Sequence, residues 1–187
     1  IVKIIDKFSR YCMLIPVPDI TAISVVKAID RWITTFGPPK SILSDNGPQF
    51  ISSIYRDFMK NHQNVKFRYT STYHPQCNGQ IERLHRWIKG RLCCIARDGG
   101  LNFAEGNDDW SDYLGVIQYT YNSTPNRMTT YSAMDIVLGK GNYRWDEFVF
   151  DSNNPKEYID FMANRQAIIN NNAYTQQLIY DLSLIHI

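Results

Sequence analysis

The sequence predicts an α/β protein, a mixed sheet flanked by helices, and three observations carry that reading. First, residues 1–6 and Tyr11–Val17 are short apolar runs separated by the polar Lys7-Phe8-Ser9-Arg10, the pattern of two antiparallel strands joined by a tight turn. Second, strand-like and helix-like periods then alternate. Ile23, Val26, Ala28, Ile29, Trp32, Ile33 and Phe36 recur at spacings of three and four behind a capping Thr21, and Gly37-Pro38-Pro39 stops them. A brief strand, Ser41–Ser44, runs into the turn signal Asp45-Asn46-Gly47-Pro48. Phe50, Ile54, Phe58 and Met59 mark another helix, and Val65–Thr70 another strand. Third, a loop at Ser71–Gly79 leads into a long amphipathic helix from Gln80 to about Arg97, with Ile81, Leu84, Trp87, Ile88, Leu92 and Ile95 on its apolar side. A helix near Trp110–Tyr121 follows, and residues 155–182 are weakly helical. Strands separated by helices after an opening hairpin are the signature of a mixed α/β sheet.

Composition narrows the function. At 187 residues, with 44% hydrophobic and 20% charged residues, the chain has the make-up of a globular domain. No apolar run approaches the roughly 18 residues of a membrane span, and no basic-then-apolar leader stands at the start, so a protein that is not secreted is expected. Ile1 lies directly inside an apolar run, which predicts a piece of a longer protein. The domain expectation is a partial core over residues 1–140 and an unassigned extension over 141–187. The four cysteines, Cys12, Cys77, Cys93 and Cys94, form no C-x-x-C pair, and no zinc site is expected. The net charge of +2 hides an asymmetry. Residues 1–97 hold 15 Lys and Arg against 6 Asp and Glu, a net +9, while residues 98–187 hold 5 against 12, a net −7. A basic half favours a polyanion such as DNA or RNA.

Two segments carry chemistry: Ser44-Asp45-Asn46-Gly47-Pro48-Gln49-Phe50 and His74-Pro75-Gln76-Cys77-Asn78-Gly79-Gln80-Ile81-Glu82-Arg83. Asp45 is predicted at the carboxyl end of a strand, where α/β sheets open into a ligand crevice. Glu82 is predicted in the first turn of the long helix, just after a glycine hinge. Two such carboxylates suit one hard, oxygen-seeking cation such as Mg²⁺. Taken singly, Asp45 reads as a turn residue and Glu82 as a favourable charge on the helix dipole. Glu82, His85, Arg86 and Lys89 fall at i, i+3, i+4 and i+7, one continuous stripe. By itself that stripe reads as a solvated helix face, and Arg83 and Arg91 read as surface residues.

Together the two segments resemble the integrase catalytic core of retroviruses and long-terminal-repeat retrotransposons, closest to gypsy-type elements. The 36 residues between Asp45 and Glu82 match that family's spacing. The resemblance extends to Ile5-Asp6-Lys7-Phe8-Ser9-Arg10, Phe36-Gly37-Pro38-Pro39, Tyr121-Asn122, Ser132-Ala133-Met134 and Leu138-Gly139-Lys140, in the family's order. It implies a ribonuclease-H-like fold and a mechanism with two Mg²⁺ ions (Mn²⁺ as a substitute), about 3.5–4 Å apart, stabilising both oxygens of an in-line displacement. Asp45 and Glu82 are the implied catalytic, metal-binding carboxylates. Asn78, His85, Arg86 and Lys89 are the implied DNA contacts, and His74 and Gly79 belong to the implied active-site loop. The implied partners are the element's DNA ends, target DNA and further copies of the full-length protein, with no membrane. The implied setting is the nucleus during integration and otherwise a cytoplasmic particle.

One departure matters. The family's triad begins with an Asp on a strand that precedes the hairpin read at residues 1–17, so this first carboxylate is expected upstream of Ile1. Asp6 lies 39 positions before Asp45, shorter than the family's separation, and on the turn side of the hairpin. With two carboxylates, two ions would be under-coordinated. The alternative function is therefore a catalytically inactive, integrase-derived DNA-binding module.

Overall fold

A computed structural model describes residues 1–70, 79–97, 110–127, 129–139, 160, 163–164 and 166–175. The predicted hairpin is present as β1 (Val2–Ile5) and β2 (Cys12–Ile15), hydrogen-bonded as one two-stranded sheet. Its turn is locked by Asp6, whose carboxylate accepts both the backbone N–H and the hydroxyl of Ser9 at 2.7 Å. Asp6, weighed above as a third carboxylate, is thus committed to the turn.

Helix α1 (Ala22–Phe36) begins at Thr21, whose side chain accepts the N–H of Ser24, and ends at Gly37, held at φ 84. A φ in that region strains any residue carrying a Cβ, which is why glycine stops this helix. Val25, Ala28 and Ile29 form its buried face, whereas Ile23, expected on that face, is half in solvent. Strand β3 (Ser41–Ser44) pairs in parallel with β4 (Lys66–Tyr69), from Ser41 opposite Lys66 to Ser44 opposite Tyr69. The single helix expected between them is two: α2 (Pro48–Ile51) and α3 (Ser53–Asn61). Ser52 is extended and caps α3, which resets the helical phase. Ile54, expected inside, consequently faces out, and Tyr55 takes the interior at 1% exposure.

Helix α4 (Gly79–Arg97) follows β4 in the described chain. Val25, Ile29 and Tyr55 gather Val2 and Ile4 of β1, Ile42 of β3, Phe50 of α2 and Phe67 of β4 into one core cluster. A second cluster packs Met13, Ile15 and Ala28 with Trp32 and Phe36. The β1–β2 and β3–β4 pairs remain separate sheets among the described residues.

The chain divides into two compact units, residues 1–5 with 13–117 and residues 6–12 with 118–187. Helix α5 (Leu114–Ser123) follows the 3₁₀ segment Trp110–Tyr113 in the first unit, and its residues from Gln118 onward belong to the second. The second unit also contains α6 (Ala133–Leu138), which periodicity did not predict. Six residues are too few for a visible period, but Ser132 and Asp135 form a reciprocal capping box that the Ser-x-x-Asp spacing encodes. Within this unit Ile136, Ile169 and Ala173 pack with Phe8 and Tyr131, and residues 166–175 are helical, inside the weakly helical stretch expected at 155–182.

Asn122 is the polar anchor of that unit. Its side-chain oxygen accepts the N–H of Cys12 at 2.8 Å while its amide donates to the Cys12 carbonyl at 2.9 Å, both buried. The amide group imitates a neighbouring strand. Removing it would leave a buried N–H and a buried C=O unpaired, at about 1–3 kcal/mol each. Asn122→Ala is expected to lower unfolding free energy by about 2–4 kcal/mol in urea titration; a change below about 0.5 kcal/mol, the usual range of a surface substitution, would refute the anchoring role. Burial pushes the Cys12 thiol up to about 12, whereas Cys93 and Cys94 are exposed. Iodoacetamide at mildly alkaline pH should therefore alkylate Cys93 and Cys94 in the native chain and reach Cys12 only after denaturation, as read by peptide mass mapping.

Candidate functional site

The site is built on the parallel β3–β4 pair. Beyond the last paired residues the Thr70 N–H still donates to the Ser44 carbonyl at 2.8 Å, so both strands end together. Asp45 is the next residue. Its Oδ1 accepts the Gly47 N–H at 3.0 Å, and the Asn46 amide reaches across to the Thr70 carbonyl at 3.2 Å. These two bonds are an Asx turn and a strand-end clasp. They fix the backbone of Asp45 while its carboxylate stays exposed and makes no other hydrogen bond or ion pair with a described residue.

Behind the turn stands Tyr55. Burial, with the Tyr69 charge adding to it, pushes its phenol up to about 12, opposed by a hydrogen bond with Ser44. It meets Phe50 and Phe67 edge-on, at ring separations of 5.4 and 5.8 Å. The Tyr69 hydroxyl donates to the Phe50 carbonyl at 3.1 Å, tying β4 to α2. The end of β3 is thereby held from α3 and the end of β4 from α2. Sequence reading missed Tyr55; the signal was Ser52, a helix-capping residue inside a supposed single helix.

Glu82 lies in the first turn of α4, exposed and without a polar partner among the described residues. The helix dipole favours a carboxylate there, so its charge is tolerated without one. Leu84 and Ile88 are buried and Ile81, Trp87, Leu92 and Ile95 half-buried, so the predicted apolar side is the inner side. His85, Arg86 and Lys89 are exposed with Glu82, and the predicted stripe faces solvent as one run. Arg83 is exposed, and Arg91 lies over the Trp87 ring at 5.3 Å, so both remain surface residues. Gly79, expected in the loop, is the first residue of α4. A Cβ there would meet only the Arg83 side chain at 3.8 Å, so its backbone needs no glycine-specific freedom. His74 and Asn78 lie outside the described residues.

One contact at the site was not foreseen. Lys3 of β1 places Nζ 2.8 Å from Nδ1 of His85. Burial lowers the Lys3 ammonium below its ordinary range. A single lysine inside Ile-Val-Lys-Ile-Ile was the available signal.

Asp45 and Glu82 offer oxygen donors only, the chemistry that suits Mg²⁺. Among the described residues no three His, Cys, Asp or Glu side chains converge, so two carboxylates are the donor set that can be named.

Comparison with known proteins now bears on this arrangement. A family described as the integrase core domain matches residues 1–75, which include the hairpin and the Asp45 turn. The chain is 29% identical over 136 residues to the Transposon Tf2-3 polyprotein of Schizosaccharomyces pombe, and the match covers 72% of this chain and 10% of that polyprotein. The chain thus spans about a tenth of that relative's length. Among solved structures it is similar to the HTLV-2 integrase catalytic core domain in complex with magnesium, with TM-score 0.56 and 22% identity, covering 71% of this chain and 80% of that one. The catalytic core domain of BIV integrase gives TM-score 0.58 at 22% identity, covering 73% and 84%. The simian T-cell lymphotropic virus intasome gives 0.62 at 18%, covering 75% and 48%. The fold is therefore ribonuclease-H-like, the α/β class expected from the element order.

Asparagine at position 45 can still accept the Gly47 N–H, so Asp45→Asn should leave the turn intact. Its thermal unfolding is expected to stay within about 0.5 kcal/mol of the parent. A larger loss would mean the charge itself holds the turn.

Proposed function

We propose that this chain is part of the catalytic core of a retroelement integrase, a Mg²⁺-dependent polynucleotidyl transferase that trims element DNA ends and joins them to target DNA. The observation that carries the reading is the pair Asp45 and Glu82. Both are exposed carboxylates without ion-pair partners among the described residues, one at the end of a parallel strand and one at the start of α4, in a chain whose residues 1–75 match the integrase core domain family.

Asp45 and Glu82 would hold the metal. Bound there, Mg²⁺ supplies positive charge for the attacking and leaving oxygens of an in-line phosphoryl transfer. In trimming, a water oxygen bonds to the scissile phosphorus as the 3′-oxygen leaves with a proton, giving a free 3′-hydroxyl. In joining, that hydroxyl attacks a target phosphodiester and another 3′-oxygen leaves. No covalent protein intermediate is required. Arg86 and Lys89 neutralise backbone phosphates, the sequence-independent part of affinity, and His85 adds a hydrogen-bonding group. Gly79, the first residue of α4, borders the same site in this reading. Further copies of the protein assemble around the DNA, and the work is done in the nucleus, from a particle otherwise cytoplasmic. No described helix is long and apolar enough to cross a membrane.

The test is a gel assay, on the complete catalytic core of which this chain is proposed to be part, for Mg²⁺- or Mn²⁺-dependent nicking and joining of labelled duplexes. The expected result is metal-dependent product that Asp45→Asn and Glu82→Gln reduce to background. DNA binding with no product under any metal would instead identify a binding module without catalysis. Arg86→Glu or Lys89→Glu should weaken DNA binding and lower the salt slope by about one per lost phosphate contact; an unchanged slope would leave both as solvated surface residues.

A further inference from the structure

Along β1 the side chains alternate. Val2 and Ile4 enter the core clusters, and Lys3, between them, points elsewhere. It is half-buried, and its Nζ ends 2.8 Å from Nδ1 of His85 on the exposed stripe of α4. A lysine ammonium has only donors. At this separation His85 Nδ1 must therefore be the acceptor, which puts the proton of the neutral imidazole on Nε2, on the far side of the ring. Rotation about a free histidine side chain would let the two nitrogens exchange roles; a donor arriving from a strand removes that freedom.

We propose that Lys3 is a positioning residue for DNA: it holds His85 in the Nε2–H tautomer, so that the stripe presents a hydrogen-bond donor to a phosphate beside Arg86 and Lys89. This rests on the DNA-binding reading above and adds to it a residue from a different element. The order of events is set by the fold. Lys3 is immobilised by its neighbours in β1, His85 by its turn of α4, and the ring takes the orientation that the strand dictates. The pair is open to solvent, so its effect on affinity is modest.

The test uses the whole 187-residue chain labelled with ¹⁵N-histidine. The chain has four histidines, and loss of one signal set in His85→Gln assigns the ring. At mildly alkaline pH, His85 should show a pyridine-type Nδ1 and a pyrrole-type Nε2 resonance. Lys3→Met should move both toward the tautomer average, and Lys3→Arg, which can still donate, should restore them. A fluorescein-labelled DNA duplex read by anisotropy then gives function. Lys3→Met is expected to weaken binding about two- to fivefold, the range of an exposed polar pair, with no further loss when added to His85→Ala. Tautomer-averaged His85 in the parent chain, or an additive loss in the double variant, would overturn the proposal. These failures are separable from failure of the DNA reading itself. If Arg86→Glu and Lys89→Glu leave anisotropy unchanged, the phosphate contacts are wrong whatever the imidazole spectrum shows.

Discussion

Burial of Tyr55 between α1 and the β3–β4 pair is the contact on which the placement of Asp45 depends. The ring is 1% exposed, meets Phe50 and Phe67 edge-on and shares its cluster with Val25, Ile29 and Ile42. A parallel two-stranded pair has little stability of its own, and here it is exposed enough that Leu43 and Tyr69 remain 49% and 39% accessible. The register at its carboxyl end is instead imposed from beneath, by aromatic packing around Tyr55 and by the Tyr69 hydroxyl bond to the Phe50 carbonyl. The Asx turn then converts a fixed strand end into a fixed carboxylate.

The site combines a rigid support with a lightly committed surface. Asp45 and Glu82 gain no ion pair from the described protein, and each is stabilised by dipoles, a backbone N–H in one case and the α4 N-terminus in the other. Exposure spares both the cost of desolvating a charge. The same logic separates α4 into two faces: Leu84 and Ile88 fix its position, and Glu82, His85, Arg86 and Lys89 are left available. The second unit follows a different rule, satisfying a buried strand end with a side-chain amide at Asn122.

Much of this was legible in the sequence, for local reasons. Thr21 and Gly37 bounded α1 because caps are written in single residues. The brief apolar run Ile42-Leu43 and the alternation around Phe67 gave both strands, and the apolar face of α4 emerged from its period. What escaped depended on breaks and on distant partners. Ser52 interrupts a pattern that reads as continuous, so the period points to Ile54 for the buried position that Tyr55 holds. Gly79 reads as a loop residue because glycine before a helix so often is, yet it takes the helical conformation. The Lys3–His85 contact joins residues 82 positions apart, and the Asn122 clasp residues 110 apart; no period or motif encodes either.

The central claim is that Asp45 and Glu82 hold one divalent cation between them. Crystals grown with Mn²⁺ and measured at its absorption edge would test it most directly. The account predicts an anomalous peak at bonding distance from a carboxylate oxygen of each residue, lost in crystals of Asp45→Asn. A peak ligated by only one of them, or the two carboxylates on opposite faces of the domain, would contradict it.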